Sequence, residues 1–315
     1  MASLDGAQLF KSKDSDCWIY IWVILNLAPD RRYRKTHVLP GGFIPGPKKP
    51  KNLDSFLVVG LHHPTAIQNE GLPIWHAADN TVFRADVYFL FPTANGPGLA
   101  YWDGLIGHCG KNGCRIYCRV RGRRKTHHSH YYAAHLKPHN APIGSDHPDV
   151  NILTLPPGGS QNYTENLQLL MSTPNQRQYE IRQMETGIKK PSLLLAFSPT
   201  RSLGIPLCIT TDIMHLVGNI SDLLISLWRG SIACAPSDNI ATWTWVVFCS
   251  NEVWEAHGQV IEDVGRHIPG HFDVKPRSLV EKSNTDYKTW EYQVYTFGLG
   301  PGLLHGILPE RYWTN

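Results

Sequence analysis

Residues 1–27 read MASLDGAQLFKSKDSDCWIYIWVILNL, and the way this stretch folds decides the rest. Residues 18–27, WIYIWVILNL, are aromatic and β-branched, which is strand chemistry. The run is far shorter than the ~20 apolar residues that a membrane helix needs, so it predicts a buried strand. Asp5 sits ahead of it in Leu-Asp-Gly, at the end of a first short strand. Pro29-Asp30 breaks the run. Val38-Leu39 and Phe43-Ile44 flank Pro40-Gly41-Gly42 and predict a third strand ending at Pro45-Gly46-Pro47. Lys48-Lys49-Pro50-Lys51 is a basic, proline-rich connector. Asn52 or Asp54 then caps a helix through Phe56, Val59 and Leu61, with Pro64 to kink or end it and residues 67–75 to continue it. Residues 82–92, VFRADVYFLFP, alternate and then turn apolar, as a strand entering a core does, and Asn95 follows.

Strand, strand, strand, helix, strand is the opening order of a ribonuclease-H-like core. In such a layout an acid ends the first strand, a second follows the fourth, and a third stands on a late helix. Asp5, Asn95 and Glu291 (in Tyr-Lys-Thr-Trp-Glu-Tyr) occupy those places, but the middle one is an amide. Further on, residues 95–140 are rich in Gly, Cys, His and Arg and lack long periodicity. Residues 161–187 read as two helical stretches broken at Thr173-Pro174. Residues 212–228 are strongly amphipathic, with Met214, Leu216, Val217, Ile220, Leu223, Leu224 and Leu227 at helical spacing. Residues 251–266 and 286–297 are weaker helix candidates. The span from Asn95 to Glu291 is too long for a plain loop and predicts a helical insertion. The expected class is therefore α/β, a ribonuclease-H-like mixed sheet with a long, mainly helical insertion and a Cys/His-rich basic loop. The expected division is 1–95 for the first part of the core, 96–140 for the loop, 141–275 for the insertion and 276–315 for the return to the core.

A chain of 315 residues, 42% hydrophobic and 18% charged, is of globular composition, and its +4 charge permits a nucleic-acid partner without requiring one. The seven cysteines are odd in number and irregularly spaced, which favours a reducing compartment with any special cysteines binding metal. The start, Met-Ala-Ser-Leu-Asp-Gly, has no basic or apolar leader region, so no signal peptide is expected. No membrane partner is expected either. Both Asn-x-Ser/Thr sequons read as chance matches.

Two-metal phosphoryl chemistry needs hard oxygen ligands holding two divalent cations ~4 Å apart. Asp5 and Glu291 are the right ligand type for Mg²⁺ or Mn²⁺, whereas Asn95 offers a carbonyl oxygen without charge. The competing reading makes Asp5 the start of a turn and Glu291 a solvated helix residue. Asp212 and His215, at i and i+3, share a helix face; Asp212 either caps that helix or orients His215. Cys114, Cys118, His130 and His139 are two thiolates and two imidazoles suited to structural Zn²⁺, against the alternative of free cysteines in a Gly-rich loop. Lys111, Arg115, Arg119, Arg121, Arg123, Arg124 and Lys125 form a run without acids, fit to grip a DNA backbone or else simply solvated.

Longer phrases add a resemblance. "LDGAQLFKSKDSDCWIYIWVILNL", "LPGGFIPGPKKPKNLDSF", "GHCGKNGCRIYC", "KPSLLLAF", "LGIPLCITTDIMHLVGN", "LLISLWRGSIAC" and "FGLGPGLLHGILPERYW" resemble the CACTA (En/Spm-type) DNA transposases, in the form found in mushroom-type fungi, across essentially the whole chain. The resemblance implies a ribonuclease-H-like core whose Asp, Asp and Glu bind Mg²⁺ to cut transposon ends and join them to target DNA in the nucleus. It matches Asp5 to the first acid, Asn95 in Ala-Asn-Gly-Pro-Gly to the second, Glu291 to the third, and Asp212 and His215 to an Asp-x-x-His motif. It also implies departures: Asn95 replaces an acid, Asp103 stands where Asn is usual, an apolar strand normally precedes the first Asp, and members continue past Arg-Tyr-Trp. A truncated copy with impaired catalysis is expected. The partners implied are DNA and a second copy or full-length transposase. The alternatives are a non-catalytic DNA-binding protein and a decayed, non-functional fragment.

Overall fold

The computed structural model describes residues 1–8, 16–46, 50–118, 120–124, 129–132, 149–155, 158–234, 237–269, 275–282 and 287–314. The chain divides into two compact units, Met1–Thr211 and Asp212–Asn315, so the division falls inside the segment expected to form the insertion. The fold is mixed α/β, with a mixed sheet in the first unit and helices throughout.

The first unit is built on β1 (Ala2–Gln8), β2 (Asp16–Trp22) and β3 (Leu39–Pro45), an antiparallel meander. A short helix, α1 (Pro29–Arg32), links β2 to β3. The helix α2 (Asp54–Glu70) follows, then a hairpin of β4 (Leu72–His76) and β5 (Thr81–Ala85), then β6 (Pro92–Thr93). The sheet order is β3-β2-β1-β6, with β6 parallel to β1. The first strand, expected to be cut short, is seven residues long and pairs with β2 along its whole length. The backbone pairing even runs past it, Val23 donating to the Met1 carbonyl at 2.9 Å.

Alternation explains the seating of β1. Ala2 and Leu4 are fully buried, while Asp5, on the next pleat, is exposed. Ala2, Leu4, Tyr20 and Ile44 of the sheet pack with Leu53, Leu57 and Leu61 of the α2 region and with Leu99 and Trp102 of α3 (Gly96–Asp103). Close approach of α2 to the sheet requires Gly60, because a Cβ there would collide with the Tyr20 ring.

Two expectations change here. Pro64 lies inside α2 without ending it; the helix stops instead at Gly71, whose φ of 77° suits a residue without a Cβ. Of residues 67–75, expected to prolong the helix, 67–70 belong to α2 and 72–75 to β4. The expected strand over 82–92 is divided: its start pairs in the exposed hairpin, Phe89 stacks on Phe197 at 4.3 Å, and only Pro92–Thr93 joins the main sheet. Between the hairpin and Pro92, Asp86 pairs with Arg201 at 2.8 Å and Phe89 forms a single bridge to Ser202, away from the main sheet. The expected break near Thr173-Pro174 separates α4 (Ser160–Met171) from α5 (Gln176–Thr186).

The second unit carries α6 (Ile213–Arg229), α7 (Asn251–Val264), α8 (Leu279–Lys282) and α9 (Thr289–Gln293). The helical stretch expected at 212–228 is α6, but its buried stripe is Val217, Ser221, Ile225 and Trp228, while Met214, Leu216 and Leu223 are exposed. The core gathers Ile225, Trp228, Phe248, Trp254, Ile261 and Tyr295. His257 is buried among them, 2.9 Å from the Tyr295 hydroxyl, and burial pushes its imidazole down to about 4, so it is neutral at pH 7.

Because Leu4 is fully buried in the central strand, Leu4→Ala is expected to remove ~2–5 kcal/mol of stability. Urea unfolding followed by circular dichroism checks this, and an unchanged midpoint would show that β1 does not anchor the first unit.

Candidate functional site

The parallel pairing of β1 with β6 runs Ala2 to Pro92 and Ser3 to Thr93. The ladder ends there: Asp5 lies two residues beyond Ser3 on β1, and Asn95 two residues beyond Thr93, where the chain turns into α3. The approach is close: a Cβ on Gly98 would lie 3.7 Å from the Leu4 carbonyl oxygen. The same Cβ would lie 2.7 Å from that of Ala94, so the sharp entry into α3 depends on glycine. Asn95 is the N-cap of α3, its Oδ1 accepting from the Gly98 amide at 2.8 Å. Asp5 is exposed, with Oδ1 accepting from the Gly6 amide at 2.8 Å. Each of the two side chains is thus engaged by a backbone amide of its own segment.

Glu291, in the second unit, is fully buried on α9. Its Oε1 accepts from the Arg277 Nε at 2.8 Å and the Arg277 amide at 3.2 Å, and its Oε2 from Arg277 Nη2 at 2.6 Å and the Lys288 amide at 2.8 Å. Burial alone would raise this carboxyl, but the hydrogen bonds from Arg277 and the backbone outweigh it and hold the group below its usual range. Neither a solvated helix residue nor an unpartnered ligand describes this carboxylate, which is one half of an internal ion pair. Asp103 is likewise fully buried, with Oδ2 2.7 Å from Arg115 Nη1 and Oδ1 accepting from the Leu105 amide at 2.7 Å. Desolvation raises its pKa against the opposing pull of Arg115.

Asp212 caps α6, as one of its two expected roles, by accepting from the His215 amide at 3.1 Å; its carboxylate also lies 2.9 Å from His215 Nδ1.

The basic run is sorted by its partners. Arg115 is turned inward to Asp103 and to the Ile106 carbonyl. Arg123 is buried, 3.8 Å from Asp149. Lys111, Arg121 and Arg124 are exposed, and the Arg124 guanidinium lies 5.5 Å from the Tyr131 ring centroid. Arg124 and Tyr131 belong to a two-residue pairing of β7 (Arg123–Arg124) with β8 (Tyr131–Tyr132). Lys111, Arg121 and Tyr131, with Ile181, Met184 and Glu185, line a cavity of about 590 Å³. Arg119 and Lys125 lie outside the described residues.

Cys118 hydrogen-bonds Cys114, and burial together with that neighbour pushes its thiol up to about 11. His130 is exposed, and His139 lies outside the described residues. Among the described residues no three His, Cys, Asp or Glu side chains gather.

One cluster escaped the sequence reading. Lys190 forms an ion pair with Asp54, 136 residues earlier in the chain, and Lys51, Lys189, Tyr101 and His108 line the same cavity. The only sequence signal was a pair of lysine-rich segments, and nothing in their spacing joins them.

Comparison with family models, curated proteins and solved structures finds no match to this chain.

Arg277 is 42% exposed, so Glu291→Gln is expected to cost about 2 kcal/mol, less than the ~3–5 of a fully buried pair. The wild-type contribution is complete above the ordinary glutamate value of 4.5 and is lost as pH falls through the lower folded value. Urea midpoints measured from pH 7 to pH 3 should therefore converge for the two proteins at the acid end; a constant gap would contradict the ion-pair account.

Proposed function

We propose that this chain is a transposase-derived DNA-processing core of the CACTA type, with a ribonuclease-H-like sheet and an impaired catalytic centre. The observation that supports the reading is the sheet ordered β3-β2-β1-β6 with β6 parallel to β1, Asp5 following two residues after Ser3 and Asn95 two residues after Thr93, the last pair of that ladder. A meander of three strands, a covering helix and a return strand beside the first is the order that such a core requires. The resembling phrases supply the rest: metal-dependent DNA cleavage and strand transfer in the nucleus, on transposon ends and target DNA. Among the described residues no helix is long and apolar enough to cross a membrane.

When bound, Mg²⁺ or Mn²⁺ would supply Lewis-acid stabilisation of attacking and leaving oxygens. The donors present do not fit a pair of such ions. Asp5 contributes one negative charge, the Asn95 oxygen is neutral and already accepts from Gly98, and the Glu291 oxygens are held by Arg277. Each metal needs hard anionic oxygens, and replacing a carboxylate by an amide removes a full charge from the ligand set. Weak or absent cleavage follows from this inventory.

Asparagine and aspartate cap helices equally well, so Asn95→Asp leaves α3 intact and restores only the charge. Mn²⁺-dependent nicking of supercoiled DNA is expected from Asn95→Asp, and to vanish when Asp5→Ala is added. Equal nicking by the unaltered chain would mean that Asn95 is not the second ligand position.

A non-catalytic DNA-binding role is the second reading, favoured by the exposed Lys111, Arg121 and Arg124 beside the Tyr131 ring. It predicts DNA affinity that falls with salt and falls again when Arg121 and Arg124 are changed to Gln. Affinity indifferent to both would remove this surface from the account.

A further inference from the structure

A cavity of about 450 Å³ in the first unit is lined by Lys51, Asn52, Tyr101, His108, Lys189 and Lys190, among others. Its lysines come from segments far apart in sequence, and the fold fixes them by three devices. The amides of Lys189 and Lys190 donate to the Gly104 carbonyl at 2.9 and 3.2 Å. Gly104 has φ 69°, and a Cβ there would strike the Lys190 carbonyl, so this junction depends on glycine. The Lys190 ammonium is then tied to Asp54 in the first turn of α2, two residues after Asn52 and three after Lys51.

The Lys190–Asp54 pair is electrically closed. Lys51 and Lys189 are exposed, and among the described residues no hydrogen bond or ion pair engages either ammonium. The backbone clamp thus fixes Lys189 at a cavity that Lys51 and Tyr101 also line, and neither lysine's charge is matched among the described residues. His108 lies at the same rim and adds a further donor. Compact ammonium charges of this kind suit a phosphate oxygen.

We propose that the Lys51–Lys189 cavity is a phosphate-binding site, and that its occupant is a phosphodiester of the nucleic-acid strand leading to the Asp5–Asn95 edge. The identification of that strand rests on the reading given under Proposed function; the phosphate chemistry does not. Pro97, Ala100 and Tyr101 of α3 form part of the lining, and Asn95 caps the same helix. From Asn95 to Tyr101 is roughly 9 Å along the helix axis, about the rise of two to three nucleotides at ~3.4 Å each. A strand whose scissile phosphate sat at Asp5 would bring a phosphate two or three residues away into the cavity.

The test compares the full chain with Lys51→Gln/Lys189→Gln, leaving Lys190 in place because it holds Asp54. Arg121→Gln/Arg124→Gln is the control, and circular dichroism verifies that both variants fold. Fluorescence anisotropy with a labelled single-stranded oligonucleotide should show about tenfold weaker binding by the lysine variant at low salt, with a log–log salt slope shallower by about 0.7, one phosphate contact being lost. Titration calorimetry with inorganic phosphate should show binding that the lysine variant loses and the arginine variant keeps. If the wild type ignores the oligonucleotide but binds phosphate, and the lysine variant does not, the phosphate site stands and the DNA reading falls. If the lysine variant matches the wild type with both probes, or the wild type binds neither, the proposal is overturned. Displacement of the oligonucleotide by poly-glutamate as readily as by unlabelled DNA would mark a generic cationic surface and also overturn it.

Discussion

Everything in the first unit depends on β1 being paired on both sides at once. Its antiparallel partner β2 is made by the adjoining sequence, whereas its parallel partner β6 arrives some ninety residues later and is only two residues long. So short a ladder has little cohesion of its own. It is held by what surrounds it: Leu4 and Ala2 beneath, the Asn95 cap and Gly98 at the turn into α3, and Leu99 and Trp102 beyond. The same turn that lets α3 cover the sheet carries Asn95, and its Gly98 approaches the backbone of Leu4, the residue before Asp5. Packing and the placement of Asn95 are here one constraint, because the residue that caps the helix stands two residues past the end of the parallel strand.

The meander was legible because its signals are local. Residues 18–27 announce a strand by composition, of which 18–22 lie in β2; a third strand was expected around Pro40-Gly41-Gly42 and is β3; and the helix expected after Asn52 or Asp54 starts at Asp54, with Leu53 rather than either of them at its cap. The region after Glu70 was not legible, since β4 and β5 carry Ile74, Trp75, Val82 and Phe83, residues that read as core but stand exposed on a hairpin. Hydrophobic pattern states which residues can be buried, and only the tertiary fold selects among them. α6 makes the same point: its length was clear from periodicity, yet its buried stripe includes Ser221 and leaves Met214 in solvent.

Charges were the least legible feature, for a physical reason. A carboxylate written in a sequence carries no mark of its partner. Asp103, Glu291 and Asp54 are each closed by a cation, through Arg115, Arg277 and Lys190, and the last partner is 136 residues distant. The run from Lys111 to Lys125 reads as uniformly basic, but Arg115 is consumed by the core and Arg123 is buried. What remains outside is a smaller set than composition suggests, and it includes lysines from another part of the chain.

This sorting bears on how a nucleic-acid reading of the chain should be weighed. Chemistry on a phosphodiester needs negative ligands for metal and positive groups for backbone, held apart so that they do not neutralise one another. Of Asp5, Asp103 and Glu291, Asp5 is exposed, while Glu291 and Asp103 are fully buried against arginines. Lys51, Lys111, Arg121, Arg124 and Lys189 of the first unit are exposed. Exposed cations for a backbone, with a single exposed acid at the expected ligand positions, favour holding a polyanion over cutting it. Restoring one carboxylate at Asn95 changes the second half of that balance without touching the first, and for that reason a single substitution can separate binding from cleavage in this chain.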